Sequence, residues 1–450
     1  MSQANSRLPI LSHQETSKPM SSPKQIDYLN ELQNGLPIKN LESAEATYLS
    51  EVNYRGDLDA PFQRWFNYKE GYSLELNFRL FKKFGIKKNS DQVVMDPFSG
   101  SGTTLFAAKL QNIQSIGFEV NPFSFFFSKI KTANYKEEIL KDLDWAIKEI
   151  ESTTFKKNKK VVLPELGMAD RIFEPSIINE LYAIKELVID NQSNLQLKQL
   201  LSFAWISILE RLSLYRKAGN GLKRKIYKKP RAKLSPKIEF LEQLKTMQSD
   251  LENVTFGKVP TIYNQSALEI SSKIDPGSVD LVVFSPPYAN CFDYTEIYKV
   301  ELWFGGFVKN KEELKRLRGT SLRSHLNHSF ETKEAVPELK RTLESLKKVE
   351  LWDKKIPLML NSYFLEMEAV LRLLFSSLKK GGHVAIVVSN SSYGNVIVAT
   401  DLILARISQR IGYKVLEIDV ARQIITSSQQ FKATKKLRDF LRESIILLEK

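Results

Sequence analysis

The sequence predicts an α/β protein built on a mostly parallel sheet, with an antiparallel ending and a large helical insertion. Three observations carry this. Two strand–helix units follow each other directly, the first as Gln92–Asp96, a glycine turn, then Leu105–Gln111, the second as Ser115–Glu119 and a helix opened by Pro122. The alternation then gives way to helical apolar spacing over residues 135–257 and resumes at Pro260. Finally, the runs Tyr413–Val420 and Ser444–Leu448 have no helix between them, which suits a terminal antiparallel pair.

Taken in order, residues 1–45 are rich in Ser, Gln, Asn and Pro and read as a flexible arm. Residues 46–134 read as the first part of the sheet domain. In it Phe62, Trp65, Phe66, Tyr68 and Tyr72 cluster as packing residues, and Glu75–Lys83 is a helix covering one end of the sheet. The insertion, 135–257, holds helices at Leu140–Ile150, Ile177–Ile189, Leu195–Leu214 and Ile238–Leu251, interrupted by a basic loop, Arg216–Arg231. Residues 258–450 read as the second part of the sheet domain. Pro260–Asn264 and Ser278–Phe284 are strands, 289–355 a charged excursion, and Tyr363–Leu378 a helix capped by Lys379-Lys380-Gly381-Gly382. His383–Val388 is the next strand and Val396–Ile411 the last helix.

Composition narrows the partners. The chain carries 66 Lys and Arg against 52 Asp and Glu, a formal charge of +14, which draws it to a polyanion and makes nucleic acid the first expectation. A lone cysteine, Cys291, forbids an internal disulfide, and His13, His325, His328 and His383 show no metal-ligand spacing, so a metal-free site is expected. No apolar run reaches membrane-spanning length and no signal peptide precedes the arm, which points to a cytoplasmic protein.

Two stretches carry chemistry. Asp96-Pro97-Phe98-Ser99-Gly100-Ser101-Gly102-Thr103-Thr104 joins two glycines to a helix N-terminus, an arrangement that brings a charged ligand against backbone N–H groups. It lacks the lysine of a phosphate-binding loop and the third glycine of a dinucleotide fingerprint. Asp96 adds an acceptor suited to an ammonium, and Glu119, ending the next strand, an acceptor for ribose hydroxyls. The second stretch, Ser285-Pro286-Pro287-Tyr288, ends a buried strand at a double proline, where open α/β sheets bind their ligands.

Together with Gly117–Pro122, these stretches resemble motifs of the amino-methyltransferases that modify exocyclic amines of DNA bases. The resemblance covers roughly residues 60–134 and 258–450. It implies a Rossmann-like methyltransferase fold of seven strands with the last antiparallel, S-adenosylmethionine as cofactor, and double-stranded DNA as partner. It also implies that Asp96, Pro97, Phe98, Gly100, Ser101, Gly102, Thr103 and Glu119 hold the cofactor. The Ser285 hydroxyl and Pro286 carbonyl then accept hydrogen bonds from the target amine, Pro287 stiffens the array, and Tyr288 stacks on a flipped base. Residues 135–257 take the place of a target-recognition region. One departure is Ser266, where such enzymes often carry Asp after the third strand.

Cys291 lacks the Pro-Cys context of cytosine-C5 enzymes and reads as packing, while Asp293 and Tyr294 either line the base pocket or shape its loop. Phosphate contacts are expected from Arg216, Lys217, Lys223, Arg224 and Lys225, and from Arg318 and Arg323. A tetrapeptide beginning with Ser favours cytosine N4, with adenine N6 the alternative. An RNA methyltransferase acting on guanine N2, and a nucleic-acid-binding protein without activity, are the other readings. A cognate restriction endonuclease is a further expected partner.

Overall fold

The computed structural model describes residues 22–39, 52, 59–69, 71–155, 161–226, 234–254, 257–424 and 435–450. Its strands are β1 (Ile38–Lys39), β2 (Val93–Asp96), β3 (Gln114–Phe118), β4 (Tyr215–Ala218), β5 (Gly221–Arg224) and β6 (Thr261–Tyr263). They continue as β7 (Val279–Phe284), β8 (Leu378–Ser389), β9 (Ser391–Tyr393), β10 (Val396–Val398), β11 (Lys414–Gln423) and β12 (Arg442–Glu449). Eight of them form one sheet in the order β1-β11-β12-β8-β7-β2-β3-β6. The block from β6 to β8 is parallel throughout, and β12 runs antiparallel to both β8 and β11. This is the doubly wound methyltransferase sheet with its antiparallel last strand.

The eighth strand corrects the expectation of seven. Helix α1 (Ser22–Gln33) and β1 belong to the stretch read as a flexible arm, yet both are docked. Ile38 pairs with Ile418 on β11, Leu29 is wholly buried, and Arg406 donates from Nε to the Leu32 carbonyl at 2.9 Å. A polar stretch is held here because its few apolar side chains find the sheet edge and its carbonyls find an arginine.

Alternation along the central strands divides the core. Val94, Leu281, Val283, Ala385 and Val387 face α2 (Leu74–Lys83) and α3 (Thr103–Leu110), whereas Met95, Val282, Phe284, Val384, Ile386 and Val388 face the helices Ile356–Ser377 and Thr400–Ile411. Helix α2 starts where Ser73 Oγ accepts from the Leu76 N–H, and buries Leu76, Leu80 and Phe81 on one face.

Three local expectations change. Lys379–Gly382 is part of β8 rather than a helix cap, because Lys379 Nζ reaches Asp280 Oδ2 at 2.7 Å and Gly381, at φ +75°, donates its N–H to the Lys450 carbonyl. Val396–Val398 pairs with β9 instead of opening the last helix, since Gly394 and Asn395 both take positive φ, the requirement of a tight hairpin turn, ahead of three β-branched residues. The basic loop is an antiparallel hairpin, β4–β5, through residue 224, turning at Gly219 with φ +57°. The rest of that loop, 227–231, lies outside the described residues.

Phe118 on β3 pairs directly with Tyr263 on β6, so the intervening chain leaves and re-enters the sheet on neighbouring parallel strands. It contains α4 (Pro122–Thr132), the helices Glu137–Ser152, Pro175–Ile184, Leu195–Ser207 and Pro236–Glu252, and the hairpin. Asp250, on the last of these helices, accepts from the Phe62 N–H at 2.9 Å and Trp65 Nε1 at 2.8 Å, which ties the early aromatic cluster to it. Among the described residues no helix is long and apolar enough to cross a membrane.

Candidate active site

The carboxyl end of β2 delivers Asp96 into a buried position, where Oδ1 accepts from the Phe98 N–H at 3.0 Å and Oδ2 from the Tyr72 hydroxyl at 3.0 Å. Burial pushes this carboxyl up to about 7 despite those donors. The turn that follows needs its glycines. Gly100 (φ +50°) would place a Cβ 3.1 Å from the Tyr68 hydroxyl, and Gly102 (φ +75°) would place one 2.2 Å from Ser128 Oγ. Ser99 donates its N–H to the Phe118 carbonyl at 2.9 Å and so binds the turn to β3.

Glu119 lies one residue beyond β3. It is half-buried, with its carboxyl group sunk against the turn: Oε2 accepts from the Gly100 N–H and Oε1 from the Asn121 N–H, each at 2.7 Å. Burial raises it to about 7, partly offset by these N–H donors. Asn264 donates to the Glu119 carbonyl at 2.7 Å, and Ser266 caps the short helix Ala267–Ser272 through a reciprocal bond with Glu269. In this chain Ser266 is thus a helix cap at the cleft edge, with no acidic side chain.

β7 is the neighbour of β2, in the register Val94 to Leu281 and Met95 to Val282, so Ser285–Tyr288 emerges beside the glycine turn. Ser285 and Pro287 line one cleft with Pro97, Phe98, Gly100 and Glu119, a space of about 870 Å³ including its mouth. Tyr288 is fixed by its hydroxyl, which donates to Glu443 Oε1 at 2.6 Å, and Arg422 holds the other oxygen at 2.5 Å. The chain after it is anchored where Ser391 Oγ and the Tyr393 hydroxyl both donate to the Ala289 carbonyl. Cys291 is buried against Met359 and Tyr393, and burial pushes its thiol up to about 11, so it is no nucleophile.

The facing wall comes from 293–325. Asp293 caps the short helix Tyr294–Ile297, accepts from Thr295 and from Asn327 Nδ2 at 2.7 Å, and pairs with Arg318 Nε at 3.1 Å. Burial would raise this carboxyl, but His325, Thr295, Asn327 and Arg318 together hold it below its ordinary value. Asp293, Tyr294, Thr295 and His325 all line the cleft. Tyr68, from the early aromatic cluster, lines it too and stacks on Tyr298 at 5.2 Å, whereas Trp65 and Phe66 are core residues.

The basic residues divide sharply. Arg216, Lys223 and Arg224 are exposed on the hairpin. Lys217 is not available to a ligand: its side chain is 1% exposed, with Nζ 2.5 Å from Glu301 Oε1 and 4.4 Å above the Phe66 ring. Period-2 alternation in the hairpin turns it inward, which a loop reading does not foresee. Lys225 donates to the carbonyls of Glu210, Arg211 and Ser213. Arg318 binds Asp293, Thr295 and Glu296, and Arg323 pairs with Glu366, so these two cations build the cleft wall and its support rather than stand free for phosphates.

Tyr72 and His325 are the site residues that sequence reading missed. Tyr72 carries no motif, and His325 belongs to a charged excursion with no periodicity; the pair His325–His328 was the available signal.

Comparison with known proteins follows the same lines. Residues 67–126, which span the glycine turn and Glu119, match the family model of N6/N4 methyltransferases, described as DNA methylase. The chain is similar to the Type II methyltransferase M.BsoBI of Geobacillus stearothermophilus, 29% identical over 468 aligned positions covering 91% of this chain and 90% of that one. It is also similar to the Type II methyltransferase M.AvaI of Nostoc sp., 28% identical over 406 positions and 82% of each chain. The chain is thus similar to N6/N4 DNA methylases over the segment that carries the glycine turn and Glu119, and to Type II methyltransferases over most of its length, with S-adenosylmethionine as the methyl donor.

Proposed function

We propose that the chain is a site-specific DNA methyltransferase that methylates the exocyclic N4 of cytosine in a flipped base. One observation carries this reading: the tetrapeptide and the glycine turn follow adjacent parallel strands, and Ser285 and Pro287 line one cleft with Pro97, Phe98 and Gly100. A preference for cytosine rests on the leading Ser285, in the sense of the motif resemblance.

The cleft suits the cofactor by its donor set and its shape. The side-chain-free edge at Gly100 leaves a cradle that a Cβ would fill, Glu119 offers a carboxylate to ribose hydroxyls, and Phe98 and Phe118 offer apolar walls. Asp96 and Pro97, with Ser101, Gly102 and Thr103 at the start of α3, complete the binding set. Bound there, S-adenosylmethionine supplies an electrophilic methyl group. The protein's part is to bring the amine to it. Ser285 Oγ and the Pro286 carbonyl accept the amine hydrogens, which favours a nitrogen whose lone pair is free to attack, and the two prolines leave little to order at the moment of transfer. Tyr288 presents its ring to the flipped base while Glu443 holds its hydroxyl. The departing proton needs no strong base.

Arg216, Lys223 and Arg224 contact DNA phosphates from the hairpin, and residues 135–257 serve target recognition. The relatives' designation as Type II methyltransferases supports a cognate restriction endonuclease as partner and a cytoplasmic setting on DNA. Mass spectrometry of nucleosides from DNA treated with the protein tests the reading. N4-methylcytosine is the expected product; N6-methyladenine alone moves the assignment to adenine, and no modified base overturns it.

A further inference from the structure

In the cleft that Ser285 lines, one imidazole nitrogen makes no hydrogen bond to the described residues. The His325 side chain is 3% exposed, and its ring stacks on His328 at a centroid distance of 4.3 Å. Nδ1 accepts from the Asn327 N–H at 3.3 Å. The nearest carboxylate oxygen, Asp293 Oδ2, lies 3.7 Å from Nδ1 and is already taken by Asn327 Nδ2 and Arg318 Nε. Burial and the Arg318 charge hold the imidazole below its ordinary value, outweighing Asp293, so it is neutral near neutral pH. A neutral ring that accepts at Nδ1 carries its proton on Nε2. The ring's one hydrogen bond among the described residues is that at Nδ1, which leaves Nε2 unengaged, and the residue lines the cleft shared with Ser285 and Pro287.

We propose that His325 Nε2–H is a specificity-determining donor to the ring nitrogen beside the target amine. This rests on the functional reading above. Cytosine at N3 and adenine at N1 present a bare ring nitrogen next to the carbon that bears the amine. Thymine and guanine carry an N–H at the middle of the same edge, so a fixed donor meets a donor and the base is refused. Acceptors on the Ser285 side and a donor on the His325 side together describe an amidine edge, –N=C–NH₂, which neither wall describes alone. The Asn327 N–H and the stacked His328 ring hold the imidazole without occupying Nε2.

The test compares kcat/KM of the full chain on a duplex bearing its target base and on the same duplex with the 3-deazacytosine or 1-deazaadenine analogue, in which a C–H replaces the ring nitrogen. His325→Phe removes the donor, and His325→Gln restores one. The expected result is a loss of about 10- to 100-fold for the wild-type chain on the analogue, and a similar loss for His325→Phe on the ordinary duplex. His325→Phe should lose little more on the analogue, and His325→Gln should recover most of the activity, with S-adenosylmethionine affinity by calorimetry unchanged throughout. Equal wild-type activity on the two duplexes overturns the proposal, and needs no variant to be read. So does a His325→Phe loss that is the same on both duplexes, which marks a purely structural role. If the wild-type chain methylates no exocyclic amine of DNA, the functional reading itself falls, and this inference with it.

Discussion

Replacing Lys217 by methionine should destabilise the folded chain by about 3–5 kcal/mol, the range found when one partner of a buried ion pair is removed. The structure gives the reason for expecting that range. Lys217 Nζ sits 2.5 Å from Glu301 Oε1 and 3.1 Å from Glu210 Oε2, above the rings of Phe66 and Tyr298 at 4.4 and 4.8 Å. The side chains of Lys217 and Glu301 are 1% and 0% exposed, and Glu301 Oε2 has no hydrogen-bond partner among the described residues. Methionine keeps most of the volume, so the loss is chiefly that of a carboxylate stranded without its cation. Urea unfolding followed by tryptophan fluorescence measures it. The double variant Lys217→Met with Glu301→Leu removes the stranded charge and should recover most of the stability. A single variant within about 1 kcal/mol of wild type, or a double variant as unstable as the single, would refute the reasoning. The pH dependence adds a second check. Burial already holds Glu301 above its ordinary value, with Lys217 opposing. Without Lys217 the pKa rises further, so the folded chain keeps a proton that the unfolded chain has lost. Stability of the variant therefore falls as pH rises from the ordinary carboxylate range through the raised pKa, and its deficit narrows in acid.

Ser285→Ala and Tyr288→Ala should abolish methyl transfer to DNA while S-adenosylmethionine affinity stays nearly unchanged by calorimetry; an active Tyr288→Ala chain would count against base stacking. Gly102→Ala, at φ +75° and with Ser128 Oγ 2.2 Å from the new Cβ, should lower stability by at least about 1–2 kcal/mol in denaturant melts, and a variant as stable as wild type would deny the left-handed turn. Asp96 and Glu119 sit near 7 through burial, so S-adenosylmethionine affinity should strengthen as pH rises through that value, and the rise should shrink in Glu119→Gln; in the same window these two groups make folding less stable with rising pH, because the folded state holds the extra protons. Replacing Arg216, Lys223 and Arg224 together by Gln should reduce the slope of log K for DNA against log salt by about one per charge that contacts a phosphate, and an unchanged slope would remove the hairpin from the interface.

The parts of the fold readable from sequence are those where local pattern and tertiary packing agree. Strand ends marked by Pro97 and Pro286, the glycines of the turn, and the double proline of the tetrapeptide are local requirements, and each stands where the pattern puts it. Misreadings arise where packing overrides composition. α1 and β1 are polar overall and order through contacts with β11 and Arg406, which lie at the other end of the chain. Val396–Val398 satisfies a helical spacing as well as a strand, and the positive φ of Gly394 and Asn395 decides between them. Among the basic residues, sequence counts charges but does not say which are turned inward: Lys217 and Arg318 are as cationic as Arg216, yet both are held by buried carboxylates. His325 escaped notice because its setting is assembled from separate turns of an aperiodic segment.

The direct pairing of Phe118 with Tyr263 has a consequence for how such a chain changes over time. Because the excursion begins and ends on neighbouring strands, its ends are already joined by the sheet, and lengthening or shortening it alters only a slowly varying closure entropy. The strands that carry Asp96 and Ser285 sit on the far side of β3 from the re-entry point, and their register is set without reference to what the excursion contains. A segment plugged in this way can be exchanged for another while the strand ends that carry Asp96 and Ser285 stay in place. The anchors at Asp250 and Lys217 define the sockets that any replacement must fit.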